Sequence, residues 1–134
     1  MTDAGIIFLS IGDVLEIHED QISRYGGAVD IRDTGLLLSA VAQPEAAFGG
    51  QFLHEFPFEM AAAYLFHIVQ NHPFVDGNKR TGTASALVFL DLNGLEVDCD
   101  PDALADLVID VTLGKARKPE IAQFLREHAR PAHG

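Results

Sequence analysis

Positive charge is scarce in this chain. Nine Lys and Arg stand against twenty Asp and Glu, a formal net charge of −11 with His neutral. That balance argues against a nucleic-acid surface, because nonspecific affinity comes mainly from neutralising phosphates with cations. It equally disfavours an anionic membrane and fits a partner carrying basic segments. Cysteine is scarcer still. The single Cys99 cannot form an internal disulfide, so a reducing cytosol is the default, and no neighbour in sequence activates the thiol. It reads as a small packing residue. No apolar run approaches membrane-span length, and Ile6-Ile7-Phe8-Leu9 lacks a basic flank and is too short for a signal-peptide core. The expectation is a cytoplasmic protein. Repeats, linkers and low-complexity segments are also missing. What remains is 134 residues, 48% hydrophobic and 22% charged, which suits one globular domain over 1–134 with a real core.

Residues 6–9 read as a short β or extended lead-in. Ser10-Ile11-Gly12-Asp13 has the form of a capping box, followed by Ile11, Val14, Leu15, His18, Ile22 and Tyr25 at helical spacing. Gly26-Gly27 stops that helix. Asp33 caps a short second helix through Leu36, Leu37, Leu38 and Val41, closed by Pro44. Residues 45–57, with Gly49-Gly50 and three phenylalanines, read as a glycine-hinged loop or hairpin. It is either a cover for the core or a flap over a site. A third helix from Phe58 carries Ala61, Tyr64, Leu65, Ile68 and Val69 on one face, and that stripe delivers His72 to the interior or to a cleft. A fourth runs from Asn78 to Asn93, stopped by Gly94. Between Ala84 and Leu92 only Ser85 and Asp91 are polar, which places this helix at the centre of the domain. An extended piece (Leu95, Glu96, Val97) precedes a fifth helix over 102–113. The last starts with Pro119 at its first position. Five of the nine basic residues lie between Lys115 and Arg130, read as a solvated face. The fold class is mainly α.

The chemistry sits in His72-Pro73-Phe74-Val75-Asp76-Gly77-Asn78-Lys79-Arg80. From Thr34 to Gly114 the only cations are Lys79 and Arg80, adjacent and at a helix start, where positive charge opposes the dipole. An anion resolves that conflict. Free N–H groups at the helix start, Gly77 for close backbone approach, and the Lys79 and Arg80 side chains form a phosphate site. Asn78 adds an amide donor. Asp76 beside phosphates is the natural Mg²⁺ ligand, and His72 suits proton removal from an attacking hydroxyl. These are the parts of phosphoryl-type transfer. The plain alternatives are a structural histidine, Asp76 as a helix cap and a solvated first turn.

The run from His72 to Arg80 resembles the signature of the Fic/Doc superfamily, in its death-on-curing branch of toxins from toxin–antitoxin systems. The resemblance extends to Ser23-Arg24-Tyr25-Gly26-Gly27, to Ile31-Arg32-Asp33-Thr34-Gly35-Leu36-Leu37, to Phe48-Gly49-Gly50 and to Asn93-Gly94. It implies a compact helical bundle around the motif helix with a short β-hairpin flap. It also implies ATP and Mg²⁺ as cofactors, with His72 as the base and Asp76 as the metal ligand. Asn78, Lys79 and Arg80 would bind phosphates, with Phe74 and Gly77 part of the nucleotide site. Most Fic enzymes transfer AMP, with glycine where this chain has Lys79 and a second arginine where it has Thr83. The lysine marks Doc-type proteins, in which the nucleotide lies reversed and a γ-phosphoryl group goes to a threonine of elongation factor Tu, halting translation. No Ser/Thr-x-x-x-Glu-Gly/Asn inhibitory segment occurs here. That agrees with restraint by a separate Phd-like antitoxin whose disordered tail folds on binding. The readings to separate are a toxin kinase, an AMP or other nucleotidyl transferase, and a catalytically idle nucleotide-binding module.

Overall fold

Ser10 and Asp13 open the first helix by exchanging hydrogen bonds. The Asp13 N–H reaches the Ser10 hydroxyl at 3.0 Å, and the Ser10 N–H reaches the Asp13 carboxylate at 2.8 Å. The helix, α1 (Ile11–Tyr25), buries Val14, His18 and Ile22. The computed structural model describes residues 5–132, a mainly α architecture with two small antiparallel strand pairs. In α2 (Thr34–Ala42) the Asp33 carboxylate accepts the Leu36 N–H at 2.9 Å. Pro44 lies inside a 3₁₀ turn, Gln43–Glu45, that prolongs the helix. Residues 45–57 do contain a hairpin, β1 (Ala47–Phe48) and β2 (Gln51–Phe52), turning at Gly49-Gly50. Phe52 packs on Phe8 with ring centroids 5.6 Å apart, while Phe48 stays exposed.

The hub is α3 (Phe58–Asn71), which packs against α2, α4 (Asn78–Leu92), α5 (Pro101–Thr112) and α6 (Lys118–His128). Met60, Ala61, Ala62, Ala63, Tyr64 and Leu65 have no exposed surface, so this helix is buried all round. The central place expected for the fourth helix therefore belongs to the third. In α4, Leu87 and Val88 are half-buried and Leu92 is 43% exposed, because part of its apolar face lines surface grooves. Small residues explain the close α3–α4 crossing. At Gly82 a Cβ would come within 3.1 Å of the Leu65 carbonyl oxygen.

Residues 6–9 form no strand. Instead the Asn93 side chain takes the Ile7 N–H and donates to the Ile7 carbonyl, both at 2.9 Å. The Leu9 N–H bonds the Tyr64 hydroxyl at 2.8 Å. The extended piece β3 (Leu95–Val97) pairs with β4 (Ala129–Pro131), a partner without a strand signal in sequence. Cys99 is half-buried against the core, as expected of a packing residue. Pro119 lies in the first turn of α6. The basic residues around it are not all a solvated face. Lys118 is half-buried, its ammonium 3.1 Å from Nε2 of both His54 and His67. Burial first, and the Lys118 charge second, lower both imidazoles, His67 to about 4. Among the described residues no helix is long and apolar enough to cross a membrane.

Candidate active site

The third helix ends on His72 itself, at φ 50 and ψ 54. No other non-glycine among the described residues has positive φ. Its side chain is exposed and faces a pocket of about 190 Å³, so the stripe along α3 leads to a cleft and not to the interior. The pocket lies where the end of α3, the loop 73–77, the start of α4 and Thr112 at the end of α5 meet.

Neighbours that are distant in sequence build the loop. Phe74 is fully buried and stacks on His18, centroids 3.7 Å apart and planes within 7°. Nε2 of His18 donates to the Asp76 carbonyl at 2.9 Å. Alongside runs the segment 28–33. The Arg32 and Asp33 N–H groups bond the Pro73 carbonyl at 2.7 and 3.0 Å, and the Val75 N–H bonds Asp30 O at 3.0 Å. The Arg32 guanidinium donates to the carbonyls of His72 and Asn71. Asn78 closes the loop from the other side. Its Oδ1 accepts the Phe74 N–H at 3.0 Å and its Nδ2 donates to the Phe74 carbonyl at 2.9 Å.

Two expectations change here. Phe74 has no surface left for a nucleotide, so it is a core residue of the loop. Asn78, which also lines the pocket, is only 5% exposed with its amide engaged at both ends, so in this structure it braces the loop. What α4 offers an anion at that position is backbone. No side chain caps this helix start, and its first backbone bond runs from the Thr81 N–H to the Gly77 carbonyl at 2.9 Å. The N–H groups of residues 78–80 are thus without an intrahelical partner.

Gly77 precedes them at φ 81, a left-handed conformation that side chains disfavour. A Cβ there would also meet Ile22 Cδ1 at 3.1 Å. The carboxylate of Asp76 takes the Ala28 N–H at 2.7 Å through Oδ2, which leaves Oδ1 for another partner. Lys79 lines the pocket with His72 and Asp76. Arg80 does not. Its guanidinium lies 4.5 Å above the Tyr25 ring, facing a larger groove of about 700 Å³ between α4 and α5 that Lys79 also borders. The seven residues named from the sequence are therefore divided: His72, Asp76, Gly77, Asn78 and Lys79 line one pocket, Phe74 is buried behind it, and Arg80 stands at the adjoining groove.

A family model described as the Fic/DOC family matches residues 8–90. Over 110 residues the chain is 39% identical to a protein named Toxin Doc from Mycolicibacterium smegmatis, covering 81% of this chain and 85% of the relative. It is 34% identical over 118 residues to the protein named Protein kinase doc of Escherichia phage P1, covering 88% and 92%. This chain belongs to the Fic/DOC family. Within a Fic/DOC protein the donor set can be tested against the groups the resemblance implies. Mg²⁺ carried by phosphates needs one or two carboxylates, the substrate oxygens supplying the rest. One half-free carboxylate, Asp76, faces the pocket, and among the described residues no cluster of three or more ligands forms a metal cage. That set fits Mg²⁺ arriving with a nucleotide. A pocket of 190 Å³ is below the roughly 300–1,000 Å³ of sites that enclose a whole ligand. It has room for a small anionic group, and the 700 Å³ groove adjoins it at Lys79.

Ala28 and Thr112 carry no local signal in the sequence, and Arg32 stands out there only within the 31–37 segment of the family resemblance. His18 lies in the core-facing stripe of the first helix, and Gly27 reads as a helix stop within the 23–27 run of the resemblance. Gly27 in fact approaches Asp76 so closely that a Cβ would lie 2.9 Å from Asp76 Cβ.

Proposed function

We propose that this chain is the toxin of a toxin–antitoxin pair and a Doc-type kinase, moving the γ-phosphoryl group of ATP to a protein hydroxyl. The observation that carries the reading is Lys79 in one pocket with His72 and Asp76, the position where the nucleotidyl-transferring relatives implied by the resemblance have glycine. The attacking hydroxyl oxygen forms a bond to the γ-phosphorus while the bond to the β-phosphate bridging oxygen breaks and ADP leaves. The hydroxyl proton passes to a ring nitrogen of His72. Lys79 and the free N–H groups at the start of α4 hold the phosphoryl oxygens and neutralise charge in the transition state. Asp76 would hold Mg²⁺ through Oδ1, and the bound ion would screen the phosphates. Arg80, on Tyr25, borders the adjoining groove.

The antitoxin half of the reading rests on the apolar groove between α4 and α5. Leu87, Leu104, Val108 and Ile109 line the 700 Å³ groove. Gln21 and Ala84 connect it to a second groove edged by Asp13, Glu16 and Asp20. An apolar floor that continues into an acid-edged groove suits a Phd-like tail folding as an amphipathic helix. The proposed substrate is a threonine of elongation factor Tu, which places the activity in the cytoplasm.

Intact-mass analysis of elongation factor Tu after incubation with this protein, ATP and Mg²⁺ tests the reading, beside His72→Ala. The expected result is one added phosphate, absent in the variant. An added AMP would instead make the protein a nucleotidyl transferase. No addition would remove this factor as the target. In cells, His72→Ala and Asp76→Asn should relieve growth arrest, and an unchanged phenotype would leave only a nucleotide-binding module.

A further inference from the structure

The hydrogen bonds of His72 among the described residues run through its backbone. Its N–H bonds the Ile68 carbonyl at 3.2 Å, and its carbonyl accepts from Nε of Arg32 at 2.6 Å. A histidine acting as a base is ordinarily aimed by a partner on its second ring nitrogen. Here the aim of the ring comes from the backbone that carries it, and that backbone is left-handed, a conformation L-residues avoid unless their surroundings impose it.

The imposing groups come from residues 32 and 33. The Arg32 guanidinium spans two successive carbonyls, Nε on His72 and Nη2 on Asn71 at 2.9 Å. The N–H groups of Arg32 and Asp33 both hold the next carbonyl, of Pro73, at 2.7 and 3.0 Å. Carbonyls 71, 72 and 73 are thereby fixed from one short segment. The planar guanidinium fork matches two adjacent acceptors in a way a lysine ammonium does not. Its charge also sits at the negative end of the 14-residue α3. Nδ2 of Asn71 also donates to the Leu36 carbonyl at 3.0 Å, a further tie between the end of α3 and the residues that follow Asp33.

We infer that Arg32 is a positioning residue for His72, setting the direction of the imidazole by pinning the left-handed backbone beneath it. The functional part rests on His72 being the base, and the test separates the two. Full-length protein with ¹³C-labelled histidine is compared as wild type, Arg32→Met, Arg32→Lys and His72→Ala, the last identifying the His72 ring signals. Arg32→Met is expected to broaden or split those signals while leaving the ring signals of His67 in place. Unchanged His72 signals in a folded Arg32→Met protein overturn the inference.

Growth arrest at matched expression gives the second readout. Arg32→Met should weaken toxicity about 10–100-fold, the range that misplacing a reacting group by about an ångström costs. Arg32→Lys should recover only part. Should His72→Ala remain toxic, the base assignment falls and the ring signals still decide whether Arg32 holds His72. Should His72→Ala be harmless while folded Arg32→Met is as toxic as wild type, the positioning role alone is overturned.

Discussion

Ala28 and Asp76, 48 positions apart in sequence, are joined by a hydrogen bond of 2.7 Å from the Ala28 N–H to Oδ2 of the carboxylate. The bond leaves Asp76 one committed oxygen and one available, and it depends on the bare backbone of Gly27 passing against the Asp76 side chain. A loop that looks like a helix stop in sequence is thus the rear wall of the site.

Gly27→Ala should therefore damage function more than fold. At φ +117 the new side chain is strained, and its Cβ would meet Asp76 Cβ at 2.9 Å. Stability should fall by about 1 kcal/mol. The Mg²⁺ concentration needed for half-maximal transfer should rise several-fold, read from a metal titration of the labelling reaction. A normal titration with normal activity would mean that Asp76 tolerates displacement.

Asn78→Asp should destabilise the protein by about 1–3 kcal/mol at neutral pH. The acid keeps an acceptor for the Phe74 N–H but sets a second oxygen against the Phe74 carbonyl, in a nearly buried place. Protonation restores a donor there. The variant's disadvantage relative to wild type should shrink on acidification, measured as urea midpoints from pH 7 to pH 4.5. A constant gap would show that the brace to the Phe74 carbonyl contributes little.

Gly82→Ala tests packing against propensity. In a helix interior alanine is favoured over glycine by about 1 kcal/mol. Here its Cβ would lie 3.0 Å from Val69 Cγ2 and 3.1 Å from the Leu65 carbonyl oxygen, a backbone atom that cannot step aside alone. The net effect should be a loss of about 1–2 kcal/mol, seen as a lower Tm. A higher Tm would mean that α3 and α4 can separate slightly at no cost.

The cluster of Lys118, His54 and His67 makes stability fall in mild acid. The folded value for His67, about 4, lies below its ordinary 6.5. Between those values the unfolded chain binds a proton that the folded chain refuses, so stability is complete above pH 6.5 and declines toward pH 4. Partial exposure of the ring tempers the size of the effect. Tm should drop by a few degrees from pH 7 to pH 5, and less steeply in Lys118→Met, where the second cause of the lowering is gone. An identical slope in the variant would make burial the whole cause.

Much of this arrangement is readable from the chain because its causes are local. The capping box at Ser10, the Asp33 cap, the glycine-hinged hairpin and the α3 stripe ending on His72 all follow from neighbours within a few residues. Misreadings arise where a distant partner decides. Phe74 looks like part of a ligand site until His18 is found stacked on it, and the Asn78 amide looks free until the Phe74 backbone takes both ends. The fourth helix looks central by composition, yet three alanines in a row on α3 give that place to its neighbour. Lys118 looks like surface until two histidines from other elements close on it.

The far end of α4 has a practical consequence. Ile7 is fastened to the Asn93 side chain, and the Ala132 N–H bonds the Gly94 carbonyl at 2.9 Å. Both extremities of the described chain are thus moored to two successive residues, with the 15-residue α4 between them and the His72 pocket, about 22 Å at 1.5 Å per residue. A short linker joining them, with new ends opened at the exposed Gly49-Gly50 turn, would give a circular permutant that keeps α3, the 73–77 loop and α4 in one unbroken stretch. Reporter fusions at either extremity should likewise leave the pocket clear.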